Sequence, residues 1–473
     1  MSKKSVLKRL IQIAAFCLVF AVCLNGVYKV LSWKDTTGTY YSTTETLYNM
    51  EDDLADVLFL GSSHCYCSIN NAKLWNDYGM GSFSMVISGQ DLASTYYSFK
   101  EALKTQTPDV VFAELYGISF EEHAVTANIY RNTLSFKYSD NFFGVVDAIA
   151  PEQDKMDYLL KWPIIHTRYK ELQKGDFTPI VPAFLGYTAQ FEHTEVDPVV
   201  AYENPAPVAI SEKNQQWLQE IVDLAEEKDI EICFFVVPYV TDEYNQGRFA
   251  YTENFLKQQG VTVVNMFRHL DEINLDSSKD FYDSGHTNSY GAEKVTAFIG
   301  KYINENYDIP DRRGDAQYDY WETDYQVFKH RTEHYALRNT EDIEDYFNML
   351  ANMENYTVAV SLTGEYISDS KDIADSLNKL GLNSEFTEKG GVLVIDSHNV
   401  VYKTQQDSFL HYRSLTNGDL SVRGTLQSPT VTVDRTDYKP IENGINIVVY
   451  DNLLGEVVEY VRFNALDRYE IVR

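Results

Sequence analysis

Uninterrupted apolar runs, each followed by an amphipathic stretch, constrain this chain more than any other feature. Asp56-Val57-Leu58-Phe59-Leu60 runs into Gly61, and Asp109-Val110-Val111-Phe112-Ala113-Glu114-Leu115, Ile230 to Pro238 and Val261 to Met266 repeat the pattern. Between them, Asp91 to Thr105 and Ser211 to Lys228 have helical spacing. The second follows a capping Ser and carries Trp217, Leu218, Ile221, Val222 and Ala225. Gly291 to Tyr307 reads as a closing helix. Strands apolar on both faces that alternate with helices predict an α/β fold, with a parallel sheet covered on both sides. Phe120 to Asn204 breaks the rhythm and reads as an insertion at about 120–205, over one end of the sheet.

Beyond Pro310-Asp311-Arg312-Arg313-Gly314-Asp315 the pattern changes. A helix at Ile343 to Leu350, a strand at Thr357 to Leu362 and a helix at Asp369 to Leu380 come first. Short strands follow at Val392–Asp396, Val400–Thr404, Ser421–Thr425, Thr430–Asp434, Ile445–Asp451 and Val457–Phe463. The expected division is a tip and anchor at 1–34, a parallel-sheet domain at 35–318 and a strand-rich α+β domain at 319–473.

Lys3, Lys4, Lys8 and Arg9 precede an uncharged run from Leu10 to Tyr28 that ends at Lys29. At about 1.5 Å per residue, 19 helical residues nearly span a hydrocarbon core of about 30 Å. The basic cluster keeps the N-terminus cytoplasmic and places the bulk of the chain outside the cell membrane. Leu24-Asn25-Gly26-Val27-Tyr28 is a poor cleavage site, and Val22 before Cys23 argues against lipid attachment, so an uncleaved single-pass signal anchor is expected. Two of the five cysteines, Cys17 and Cys23, lie in this run. Cys65, Cys67 and Cys233 are too few for a disulfide framework, and no metal ligand set can be assembled around them.

Net charge is −30, with 40 Lys+Arg against 70 Asp+Glu. Nucleic-acid binding needs clustered cations, so it is excluded as a function class. The first 34 residues carry +6, which leaves −36 on the exported part. That charge repels unmodified anionic polymer and favours a neutral polysaccharide as acceptor.

Two loops carry candidate chemistry. Gly61-Ser62-Ser63-His64 follows the first strand, at the sheet edge where parallel α/β folds bind ligands. A Ser there can attack a carbonyl while backbone amides stabilise the oxyanion. Asp283-Ser284-Gly285-His286 precedes the last helix, and a carboxylate three residues before a His can hold its Nδ1–H while Nε2 faces a nucleophile. Alone, each is an ordinary turn; in one α/β domain they form a potential triad.

Gly61-Ser62-Ser63, Gly89 and Asp283-x-x-His286 resemble the blocks of the SGNH/GDSL hydrolase superfamily over roughly Asp56 to Tyr307. The Gly-Ser-Ser form behind an N-terminal anchor is closest to the branch holding the D-alanyl transfer protein of lipoteichoic acid synthesis and the alginate-type O-acetyltransferases. The resemblance implies Ser63 as nucleophile, His286 as general base, Asp283 as its orienter and the amides of Ser63 and Gly89 as the oxyanion hole. It also implies no cofactor, no metal and a multi-pass membrane-bound O-acyltransferase as acyl donor.

One block departs. Where the family places Gly-x-Asn-Asp, this chain reads Glu114-Leu115-Tyr116-Gly117, so an oxyanion donor is missing. Either His64, Tyr116 or Gln90 substitutes, or the protein is slow on simple esters. Tyr239, after the third apolar run, and Asn288 are further candidate pocket residues, while Glu114 reads as structural. His166 and Arg168 in the insertion are either contacts for an anionic polymer or scattered surface charge. Leu377 to Gly381, Gly390 to Asp396, Gly444 to Asp451 and Gly455 to Val458 resemble, in permuted order, interleukin-like epithelial–mesenchymal transition inducer domains. This implies a glycan-binding or accessory module. The expected function is a Ser-His-Asp acyltransferase or carbohydrate esterase acting on O-acetyl or O-D-alanyl groups of cell-wall or exported polysaccharide. The alternative is a non-catalytic anchored glycan-binding or scaffold protein on the same fold.

Overall fold

Residues 3–32, 41–120, 126–177, 184–364, 375, 378–381, 390–464 and 470–473 are described in the computed structural model of the chain. They divide between Tyr325 and Gln326 into two compact units. The first unit begins with α1 (Lys3–Leu31), α2 (Tyr41–Asn49), β1 (Val57–Gly61), α3 (Ser63–Ser68), α4 (Asn71–Tyr78), β2 (Ser82–Val86), α5 (Leu92–Ala102) and β3 (Val110–Glu114). The helical insertion follows as α6 (Thr126–Leu134), α7 (Asp140–Ile149), α8 (Lys155–Leu160) and α9 (Trp162–Ile165). Next come α10 (Glu212–Glu227), β4 (Glu231–Val236), α11 (Glu243–Lys257), β5 (Thr262–Asn265), α12 (Leu270–Ile273), the hairpin β6 (Phe281–Asp283) and β7 (His286–Thr287), and α13 (Ser289–Asn306).

The strands β1 to β5 form one parallel sheet in the order β2-β1-β3-β4-β5. Successive side chains point to opposite faces. Leu58, Leu60, Val111, Ala113 and Phe234 pack toward Leu92, Phe99, Leu218 and Ile221 of α5 and α10. Val57, Phe59, Val110, Phe112 and Phe235 pack toward Leu74, Val295 and Ile299 of α4 and α13. Burial on both faces is why these runs lack polar interruption, and each large side chain buried contributes about 1.5–3 kcal/mol.

Five strands are present where the apolar runs indicate four. The additional edge strand β2 reads Ser82-Phe83-Ser84-Met85-Val86, and all five residues are buried. Its Ser84 is held by tertiary partners: Asn71 Nδ2 donates to Ser84 Oγ (2.9 Å), and Ser84 N donates to the Leu185 carbonyl (2.9 Å). Helix α1 extends beyond the apolar run at both ends, and its residues Ser5–Leu31 are long and apolar enough to cross a membrane. All five cysteines are free thiols.

The expected change of character near residue 318 falls at the start of an unforeseen helix, α14 (Asp319–Asn339), within which the units divide. The second unit continues with α15 (Ile343–Asn352), β8 (Tyr356–Thr363), β9 (Gly391–Asp396), β10 (Asn399–Thr404), β11 (Ser408–Ser414) and β12 (Asp419–Thr425). It ends with β13 (Ser428–Val433), β14 (Thr436–Tyr438), β15 (Gly444–Asp451), β16 (Glu456–Asn464) and β17 (Glu470–Val472). A six-stranded antiparallel sheet, β10-β9-β8-β15-β16-β17, packs α14 and α15 on one face through Leu337, Tyr346, Phe347 and Leu350. Its other face packs on the four-stranded sheet β11-β12-β13-β14 through Val392, Val448, Leu420 and Val431. Eight of the twelve residues of the helix expected at 369–380 lie outside the described residues, as does the boundary expected at residue 34.

Candidate active site

The carboxyl ends of β1 to β4 converge on one cleft of about 370 Å³. From β1 comes the turn Gly61-Ser62-Ser63. A Cβ on Gly61 would lie 2.5 Å from Glu114 Cβ, so only glycine lets this turn pass β3. Ser62 caps α3, its Oγ accepting from His64 N (3.4 Å), and Ser63 becomes the first helical residue.

The hairpin β6–β7 supplies the other half. Asp283 Oδ1 accepts from Gly285 N (2.8 Å), which folds the loop back on itself. His286 Nδ1 then lies 2.8 and 3.0 Å from the two Asp283 oxygens, and His286 Nε2 lies 2.7 Å from Ser63 Oγ. With Asp283 accepting at Nδ1–H, Nε2 is left to accept the Ser63 proton. The neighbouring Thr287 fixes this register: its hydroxyl meets Ser68 Oγ (2.8 Å) and donates to the Cys67 carbonyl (3.1 Å), both on α3. The loop after β4 adds a brace, Val240 N donating to the Ser284 carbonyl (2.9 Å).

Gly89, after β2, lines the same cleft in a left-handed conformation (φ +66°). Among the described residues its amide and that of Ser63 donate no hydrogen bond. His64 also lines the cleft and is only 3% exposed. Its ring stacks on Tyr116 (3.7 Å between centroids), meets Tyr239 edge-on (4.6 Å) and lies 5.1 Å from the His286 ring. Burial, and secondarily the neighbouring His286, push the His64 imidazolium well below the usual histidine range, so His64 is neutral. Tyr116 and Tyr239 line the cleft beside it.

Two expected pocket residues do not line it. Asn288 is fully buried and caps α13: its Oδ1 accepts from Tyr290 N and Gly291 N (3.0 and 3.1 Å), and its Nδ2 donates to the Lys279 carbonyl (2.6 Å). The capping tendency of Asn explains the correction. Gln90 is also fully buried, and neither of its side-chain polar atoms has a partner among the described residues.

Glu114 lies under the nucleophile turn. Its carboxylate accepts from Ser62 Oγ (3.0 Å) and Tyr116 N (2.5 Å), so it ties β1 to the turn after β3. Burial pushes this carboxyl up to about 7, against the hydrogen bonds it accepts. In the insertion, Arg168 is neither a surface charge nor a cleft residue; it is buried and paired with Asp176 (2.8 Å), while His166 is exposed.

Sequence reasoning missed Asn128. Helix α6 rests on the Ser88–Gly89 loop, where Arg131 Nη1 donates to Ser88 Oγ (3.2 Å). Asn128 lines the cleft with its amide flat against Gly89; a Cβ on that glycine would lie 2.2 Å from Asn128 Nδ2. Nothing local marks it, because a lone Asn in an irregular insertion looks like any turn former.

No protein-family model matches the chain, and no curated protein is significantly similar to it. Among solved structures it is similar to a Bacteroides fragilis protein proposed to be an acylhydrolase, at 12% identity and a TM-score of 0.29, covering 55% of this chain and 94% of that one. It is likewise similar to a GDSL-like lipase from Bacteroides thetaiotaomicron, at 13% identity and a TM-score of 0.29, covering 57% of this chain and all of the other.

Proposed function

We propose that this chain is a membrane-anchored, extracytoplasmic serine acyltransferase or carbohydrate esterase acting on O-acetyl or O-D-alanyl groups of a cell-wall or exported polysaccharide. The observation that carries the proposal is the continuous hydrogen-bond chain from Ser63 Oγ through His286 to Asp283, at an open cleft. In the reaction, Ser63 Oγ attacks the acyl carbonyl and its proton moves to His286 Nε2. Asp283 stabilises the imidazolium without taking the proton. The tetrahedral oxyanion is met by the amides of Ser63 and Gly89, and Asn128 Nδ2 takes the place of the family's missing Asn. Collapse breaks the ester bond, and the leaving alcohol takes the proton from His286. An incoming sugar hydroxyl or water then reverses the steps on the acyl-Ser63 intermediate. The neutral His64 packed between tyrosines supports an apolar wall beside a small acyl group. In this reading the second unit is an accessory module that binds polymer.

Fluorophosphonate labelling tests the proposal. Label bound to the native chain and absent from Ser63→Ala supports it. Full labelling of Ser63→Ala removes Ser63 as the nucleophile. Unlabelled native protein that still binds polysaccharide favours the non-catalytic reading.

A further inference from the structure

Twelve large apolar or aromatic side chains outside α1 are exposed in the first unit, among the described residues, and seven of them fall within residues 138–177. They include Met156, Leu160, Trp162, Tyr169 and Phe177. Such a concentration of exposed apolar side chains in one segment points to an interaction site.

Its position says with what. Helix α9 and the two short turns His166–Lys170 and Lys174–Phe177, which carry Trp162, Tyr169 and Phe177, all pack against α1. Arg168, between them, donates to the carbonyls of Leu31 (2.9 Å) and Ser32 (2.8 Å) at the end of α1. Leu24 and Tyr28 of α1 share a groove of about 720 Å³ with Leu160 and Trp162. These α1 residues belong to its apolar span, so a bilayer crossed by α1 extends to the side chains level with them. Of the five cations in residues 138–177, three are engaged locally: Lys155 with Asp147 and Glu152, Arg168 with Asp176, and Lys161 with the Leu134 and Phe136 carbonyls; Lys170 and Lys174 are exposed, and the segment's seven Asp and Glu outnumber its cations. The surface therefore has the apolar and aromatic character of an interfacial belt rather than that of a basic patch seeking anionic lipid.

We propose that residues 138–177 form a membrane seat, in which the exposed apolar side chains enter the outer interfacial layer of the bilayer that α1 crosses. This rests on the reading of α1 as an anchor. The seat belongs to the same insertion as α6, and Lys161 ties it to the residues ending that helix, so the Asn128 wall of the cleft is held at a fixed height above the lipid.

The test uses the full chain in phosphatidylcholine vesicles, with Cys17→Ala and Cys23→Ala leaving three buried thiols. Met156→Cys and Phe177→Cys are labelled one at a time with an environment-sensitive nitrobenzoxadiazole, and the exposed Tyr244→Cys on α11 is the control. Blue-shifted emission at 156 and 177, lost when doxyl lipids are included, with water-like emission at 244, is the expected result. Water-like emission at 156 and 177 from chain that resists alkaline carbonate extraction overturns the seat and leaves the anchor standing. Blue-shifted emission that doxyl lipids do not quench overturns it in favour of a protein partner or second copy. Release of the chain by carbonate overturns the anchor reading and the seat together.

Discussion

In the first unit, Asp283 holds His286 in a two-strand hairpin, with the His side chain 27% and the Asp 49% exposed, and the second ring nitrogen faces Ser63. In the second unit, Asp451, at the end of β15, holds two histidines of α14, one turn apart. Its Oδ2 meets His330 Nδ1 (2.8 Å) and His334 Nε2 (2.7 Å), and no side chain of the three is more than 3% exposed. The other oxygen accepts from Leu453 N (2.7 Å) and Leu454 N (2.8 Å), while Tyr356 stacks on His330. Burial alone would raise the Asp451 carboxyl, but hydrogen bonds from His330, His334 and Leu454 outweigh it and hold the group below the usual carboxylate range. The same residue types thus leave a ring nitrogen facing a hydroxyl where the imidazole reaches a cleft. They make a structural clamp where the carboxylate and both imidazoles are buried.

The largest effects break the comparison outright. His286→Ala and Asp283→Asn are expected to lower acyl transfer by about 10⁴-fold with little change in melting temperature. Asp451→Ala should do the reverse. It leaves two buried histidines and two amides unpaired and costs about 3–5 kcal/mol in urea unfolding, while fluorophosphonate labelling of the folded fraction stays at the native level. A labelling loss in Asp451→Ala at temperatures where the chain is folded would contradict the division of roles.

Asn128→Ala sharpens the first half of the contrast. As an oxyanion donor, Asn128 is expected to be worth about 10²-fold in kcat with KM nearly unchanged. A change confined to KM would reduce it to a substrate contact.

The smallest effect is in pH. Glu114 ionises at about 7 in the folded chain against 4.5 in its absence, so folding favours the protonated form. Its contribution is complete below about pH 4.5 and is lost as pH rises through about 7, by on the order of 3 kcal/mol at most. Asp451 has the opposite sign: its contribution is present above its unfolded value of 3.8 and is lost as pH falls through its lower folded value. Hydrogen exchange should show β1 and β3 loosening from pH 5 to 8 and the β15–α14 contact loosening below about pH 4. Glu114→Gln, which mimics the neutral acid, should abolish the first response alone.

What was legible in the sequence follows from how local each signal is. The strands carrying Phe59, Phe112 and Phe235 were readable because burial on both faces leaves an unbroken apolar run. Ser63, Asp283 and His286 were readable because their spacing lies within two short loops. Strand β2 was missed because its two serines interrupt the apolar run, and Ser84 is buried by partners from Asn71 and Leu185, far apart in the chain. Asn288 was misassigned because an Asn before a helix can serve as cap or ligand, and only the packing around α13 shows which.

By itself, then, the sequence determined the layered α/β architecture, the apolar span of α1 and the residue types of the triad. Hydrophobic period, span length and loop chemistry are written over a few adjacent residues. Only the tertiary structure decided that Ser63 meets His286 across 223 positions, that Asn128 of the insertion lies against Gly89, and that the side chains of His330, His334 and Asp451 are buried. Those outcomes depend on which distant groups are brought within hydrogen-bonding distance and whether water reaches them, and no local pattern encodes either.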